Sequence, residues 1–122
     1  MIIKDLYTYG IRNHGDHTID ATIRINENST VYDGHFPQFA ITPGVCQVLM
    51  IKEILEGELD VPMLLKGAKY IKFTSMHEPV KAREIDARIR YTGEGNRIMA
   101  DGLLYRGDTT YLKFKGEFVR QP

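Results

Sequence analysis

From residue 45 to residue 55 the chain carries an apolar run with almost no polar side: Val45, Val48, Leu49, Met50, Ile51, Ile54 and Leu55. At helical spacing these positions point in nearly every direction, so the predicted helix must be buried rather than laid on a surface. Lys52, Glu53 and Glu56 make only its last turn polar. Thr42 is expected to cap its start, with Pro43 at the first helical position, where a missing N–H costs nothing. Gly57 is expected to stop it.

The sequence on either side supplies the cover. Residues 6–11 alternate Tyr7, Tyr9 and Ile11 and read as a first strand, closed by a turn at residues 13–16. Residues 17–25 place Ile19, Ala21, Ile23 and Ile25 on one face and Thr18, Asp20, Thr22 and Arg24 on the other, the period of a half-buried strand. Strands are predicted again at residues 68–73, 83–91, 98–105 and 111–119, with turns at 93–96 and 106–108. Leu112, Phe114 and Phe118 share a face of the last one. The order implies an α+β fold, an antiparallel sheet wrapped around one central helix, as a single domain over residues 1–122. A helix apolar on every side needs more cover than one small sheet gives, so a dimer is expected.

Charge excludes some partners. Lys+Arg and Asp+Glu balance at 16 each, which argues against a general nucleic-acid or membrane-surface binder. No apolar run approaches the roughly 20 residues a membrane span needs. The start of the chain has an early acid, Asp5, and no signal-peptide layout, so a cytoplasmic location is the default expectation. Cys46 is the only cysteine, which rules out an internal disulfide.

The chemistry concentrates in Asp33-Gly34-His35-Phe36-Pro37 and in Ile41-Thr42-Pro43-Gly44-Val45. A titratable imidazole stands just ahead of a helix N-terminus, which offers unpaired N–H groups and a partial positive charge. A base facing an anion-stabilising pocket is what proton abstraction beside a carbonyl requires. Spacing alone fits a plain turn followed by an ordinary helix start equally well.

The same two stretches resemble the signature of the 3-hydroxyacyl-[acyl carrier protein] dehydratases of type II fatty acid synthesis, which have the hot-dog fold. The strand at 68–73 and the corner Glu78-Pro79-Val80 look similar too. The resemblance implies removal of water from a (3R)-3-hydroxyacyl thioester to give a trans-2-enoyl thioester, with no metal or other cofactor. It implies that His35 is the catalytic histidine and that the amide near Gly44 holds the thioester carbonyl. It also implies that Phe36, Pro37, Gly44, Val45 and Leu49 line the substrate. The partner it implies is an acyl carrier protein bearing the acyl chain on 4'-phosphopantetheine. The sites of such a dimer use the histidine of one chain and the helix of the other.

The sequence departs from that signature where the family has a Glu or Asp, fourteen residues after the histidine: here the residue is Leu49. Ala40 replaces the family's proline five residues after the histidine. Glu53 is the nearest helical carboxylate, one turn later on the same face, about 6 Å along the axis. It is the candidate acid, although it reads more simply as a polar residue near the helix end. Without it, His35 returns the proton it took, or a different chain supplies the acid in a heterodimer. Lys66, Lys69, Lys72 and Arg83 are the candidate carrier-docking residues, and equally fit a solvated sheet face. Cys46 reads as a small buried residue, His77 as a loop residue, and His14, Asp16 and His17 as a turn without a fourth metal ligand. Three functions compete: an active dehydratase, a non-catalytic or half-catalytic acyl-binding subunit of a mixed complex, and a thioesterase on the same fold.

Overall fold

The computed structural model describes residues 5–34 and 39–121. His35, Phe36 and Pro37 lie outside the described residues. The elements are β1 (Tyr7–Gly15), β2 (Thr18–Ile25), a short 3-10 turn (Thr30–Tyr32), α1 (Gly44–Leu59), β3 (Met63–Phe73), β4 (Glu84–Glu94), β5 (Arg97–Arg106) and β6 (Thr109–Arg120).

The strands form one six-stranded sheet in the order β1-β2-β4-β5-β6-β3. Every pairing is antiparallel. The helix carries the chain from β2 to the far edge, where β3 pairs with β6, and the following segment brings it back beside β2 as β4. The result is the hot-dog arrangement, a sheet curled around one helix.

Alternation sets the core. Ile19, Ala21 and Ile23 of β2, Ile85, Ala87 and Ile89 of β4, and Leu112, Phe114 and Phe118 of β6 are all buried. They face Cys46, Gln47, Met50, Ile51, Ile54 and Leu55 of α1. Burial of each large apolar side chain is worth about 1.5–3 kcal/mol, so this one layer carries much of the stability. Tight turns follow the residues available to them. The β1–β2 turn holds Asp16 and His17 at φ 52° and 59°, and the β4–β5 turn puts Gly95 at φ 60°. Positive φ at a two-residue loop matches the twist of the strands it joins.

The helix differs from the sequence expectation at both ends. Pro43 stands at its N-cap position and Gly44 is its first residue, while the Thr42 hydroxyl bonds to Tyr32 and His77. It does not stop at Gly57 but at Asp60, which takes the left-handed conformation and donates its N–H to the Glu56 carbonyl. Gly57 serves close approach instead: a Cβ there would collide with the Tyr9 hydroxyl of β1. The strands are also longer than the sequence expectation, with β3 beginning at Met63 rather than near residue 68.

Among the described residues, the helix is covered on one side. Val45 is 68% exposed, and Val48 and Leu49 are half-buried. β3 is an edge strand with Leu64, Leu65, Ile71 and Phe73 exposed.

Candidate active site

Among the described residues no side chain caps the start of α1, and the amides of Cys46 and Gln47 both donate to the Pro43 carbonyl, at 3.0 and 3.3 Å. The amides of Gly44 and Val45, ahead of them, have no intrahelical acceptor, as geometry dictates for a first turn. No acidic side chain stands in that turn to neutralise its partial positive charge. The ring of Phe73, at the end of β3, lies directly over Gly44, where a Cβ would stand 2.5 Å from the ring Cζ. Only glycine lets β3 and the helix start approach this closely.

Thr42 holds the segment that leads into the helix. Its N–H donates to the His77 carbonyl at 2.9 Å, and its carbonyl accepts from Gln47 Nε2 at 3.3 Å. Its hydroxyl lies 2.6 Å from both the Tyr32 hydroxyl and His77 Nδ1. Every polar atom of Thr42 is thus engaged. The direction of the chain follows from its far end. His77 Nε2 stands 2.7 Å from the Ala82 carbonyl, which can only accept, so Nε2 carries the proton. Nδ1 of the neutral ring then accepts from Thr42, and Thr42 accepts from Tyr32. His77 is fully buried, and burial pushes its pKa below the usual histidine value, which favours this neutral form.

The Tyr32–Thr42 bond closes the segment of residues 33–41, in which His35 lies. The 3-10 turn bearing Tyr32 is anchored from the other side by Asp5. Its carboxylate accepts from the Thr30 N–H at 2.9 Å, the Thr30 hydroxyl at 2.7 Å and the Ser29 hydroxyl at 2.9 Å. These bonds, the Thr30 amide first, hold the Asp5 carboxyl below its ordinary pKa.

The two helix positions at issue for the acid face differently. Leu49 lies with Val45 on the uncovered side of α1. Glu53 is turned toward β1, where its Oε1 accepts from the Tyr7 hydroxyl at 2.6 Å. Its Oε2 is buried without a hydrogen-bond partner among the described residues. Burial, then the bond to Glu53, pushes the Tyr7 pKa up, so the phenol keeps its proton. Cys46 is buried with a raised pKa, which makes it an inert core thiol. His14 bridges elements, donating from Nδ1 to Glu58 at 2.9 Å and accepting the Tyr91 hydroxyl at Nε2, 2.7 Å away. Among the described residues no group of His, Cys, Asp and Glu is placed to hold a metal ion.

The basic residues divide. Lys66 and Lys69 border one shallow depression together with Lys115. Lys72 lies over the Tyr70 ring, 4.8 Å from its centroid. Arg83 lies away from them, on the segment entering β4, with β5 and β6 between, and pairs with Glu27 at 3.2 Å. Among the described residues no helix is long and apolar enough to cross a membrane.

Comparison with known proteins adds to this geometry. The sequence model of the ApeI-like family, described as ApeI dehydratase, matches residues 11–99. The chain belongs to the ApeI-like dehydratase family. No curated protein sequence matches it. Among solved structures it is similar to the dehydratase heterocomplex ApeI:P from Xenorhabdus doucetiae, with a TM-score of 0.71 and 17% identity over 91% of this chain and 95% of that one. A conserved protein from Pseudomonas aeruginosa gives 0.66 and 12%, covering 93% and 88% of the two chains. An uncharacterised protein from Erwinia carotovora subsp. atroseptica gives 0.64 and 16%, covering 96% and 95%. At such identities these structures speak for the hot-dog fold, and the family match speaks for a dehydratase-like protein. In this member of the ApeI-like family, Phe73 packs over the helix start, and the Thr42 hub holds the segment leading into it. Phe73 and His77 carried no separate signal in the sequence, because both depend on how the segment after β3 folds back over the helix.

Proposed function

We propose that this protein removes water from a 3-hydroxyacyl thioester carried on the 4'-phosphopantetheine of an acyl carrier protein, giving a trans-2-enoyl thioester. The observation that carries the reading is the uncapped pair of amides at Gly44 and Val45, in a family of dehydratases. They suit the thioester carbonyl, whose oxygen gains negative charge as the C2 proton leaves. Such a donor is typically worth about 10²–10³ in rate. His35 takes the C2 proton, since its ordinary pKa of about 6.5 suits a base near neutrality. The C3–O bond then breaks, and His35 returns a proton to the departing hydroxide, so that water leaves.

This one-residue cycle accounts for Leu49, which has no proton to give. The Tyr7 bond supports a structural role for Glu53, which is held toward β1. The exposed Val45, with half-buried Leu49 beside it, and the apolar edge of β3 support a dimer in which a second chain covers both. Phe36 and Pro37, beside the base, and Val45 and Leu49 contact the acyl chain in this reading. Lys66 and Lys69, with Lys115, receive the acidic carrier, while Lys72 and Arg83 contribute less.

Leu49 also favours a second reading, in which the chain is one half of a mixed dimer and a related subunit supplies the acid. Turnover of a 3-hydroxyacyl-carrier substrate by the purified chain, beside His35→Ala and Glu53→Gln, separates the two. Enoyl product from wild type and Glu53→Gln, lost in His35→Ala, supports the one-residue cycle. A fall of about 10² in Glu53→Gln would move the acid one helical turn. An inert chain that still binds the carrier supports the mixed dimer, and release of free acid would mark a thioesterase.

A further inference from the structure

We infer that Tyr32, Thr42 and His77 are positioning residues that withhold the Thr42 hydroxyl from the helix, so that the Gly44 and Val45 amides stay open to the thioester carbonyl. The role assigned to those amides rests on the dehydratase reading above; the withholding itself does not.

A threonine directly before a proline and a helix start is placed to cap that helix. Its hydroxyl would accept from the second or third helical amide, with Pro43 as the first helical residue. Here those amides are Gly44 and Val45, the same two groups that the first turn leaves without an acceptor among the described residues. A capping Thr42 would therefore occupy the groups the substrate needs. The structure shows the hydroxyl turned the other way and consumed twice, as acceptor for Tyr32 and donor to His77 Nδ1, each at 2.6 Å. Pro43 stays extended, with ψ 144°, outside the helix. The Thr42 main chain is pinned as well, by the His77 carbonyl and by Gln47 Nε2. The far end of the chain of bonds is fixed by the Ala82 carbonyl, which holds the His77 tautomer that accepts from Thr42. Three segments far apart in sequence converge on one hydroxyl whose local role would otherwise be the cap.

The test is amide hydrogen exchange at Gly44 and Val45, read by NMR in wild type, His77→Leu and the double variant His77→Leu/Thr42→Val. In wild type both amides should exchange quickly. In His77→Leu the released hydroxyl should cap them and slow their exchange by roughly fivefold, the protection a typical cap confers. In the double variant, which has no hydroxyl to release, exchange should be fast again. A chain of bonds that only stabilises the fold would leave both amides fast, or faster, in all three proteins, and that result overturns the inference. Tyr32→Phe deletes one atom and serves if His77→Leu does not fold. It leaves a lone pair of Thr42 open to these amides and should slow them more weakly, by roughly twofold; no slowing there overturns the inference as well. Exchange needs no turnover, so an absent dehydratase activity would be seen separately. Where activity is present, KM should rise in His77→Leu and fall back in the double variant.

Discussion

Thr42 Oγ1 stands 2.6 Å from His77 Nδ1, and both residues are buried. The bond requires a neutral ring. Desolvation, the largest influence on His77, lowers its pKa, and the Ala82 carbonyl and Glu78 offset this only in part. Tyr111 meets the ring edge-on, 5.1 Å between centroids. The folded-state pKa thus lies below the unfolded value of about 6.5. The unfolded chain binds more protons between the two, so the contribution of His77 is fully present above about pH 6.5 and is lost as pH falls toward the folded value. Urea midpoints should therefore drop between pH 8 and pH 5.5 in wild type, and the slope should flatten in a folded His77→Gln variant. An equal slope in both proteins would contradict the assignment.

Tyr7 and Glu53 join β1 to the helix through one short bond. Tyr7→Phe leaves the carboxylate without a hydrogen-bond partner among the described residues and should cost about 1–3 kcal/mol. Glu53→Gln keeps an acceptor for Tyr7 and should cost less. Chemical denaturation of the two variants checks the order, and a reversed order would show that the bond is not what holds Glu53.

Gly44 lies under Phe73 so closely that a methyl group cannot be inserted without moving the ring. Gly44→Ala should displace either the ring or the helix start. On the dehydratase reading proposed above, a displacement of about 1 Å at the thioester carbonyl should lower kcat/KM by about 10². Adding Phe73→Ala should recover most of the loss, because it removes the atoms the methyl group meets. No recovery would locate the defect in the helix backbone rather than in the contact.

The edge strand β3 exposes Leu64, at 55%, and Ile71, at 41%. If a second chain covers this edge, sedimentation should give a dimer, and Leu64→Asp with Ile71→Asp should give a monomer of unchanged circular dichroism. A monomeric wild type at micromolar concentration would contradict the dimer.

The sheet was legible because alternation is a direct record of which face is buried. Ile19, Ala21 and Ile23, and likewise Leu112, Phe114 and Phe118, fall where their period places them. The helix was legible as a buried element, but its ends were not, because each depended on a distant partner. Thr42 fits a local cap until Tyr32 and His77 claim its hydroxyl, and Gly57 fits a local stop until Tyr9 is seen to cross it. His77 looked like a loop residue for the same reason: its burial comes from Tyr111 and from the fold-back after β3. The residue-34–45 motif carried the resemblance to the dehydratases, which the family match bears out, and Leu49 stood out as a departure from it. The orientation of Glu53 toward Tyr7 needed the packing of β1 on α1, which no spacing within the helix encodes.

The most direct test of the account is proton transfer at C2. A trans-2-enoyl-carrier substrate is incubated with the protein in deuterated water, and the acyl chain is read by mass spectrometry beside His35→Ala. The account predicts hydration with one deuterium delivered to C2 by the wild type, and loss of both in His35→Ala. Equal labelling by the two proteins, or none by a wild-type chain that binds the carrier, would contradict His35 as the base that works on this carbon.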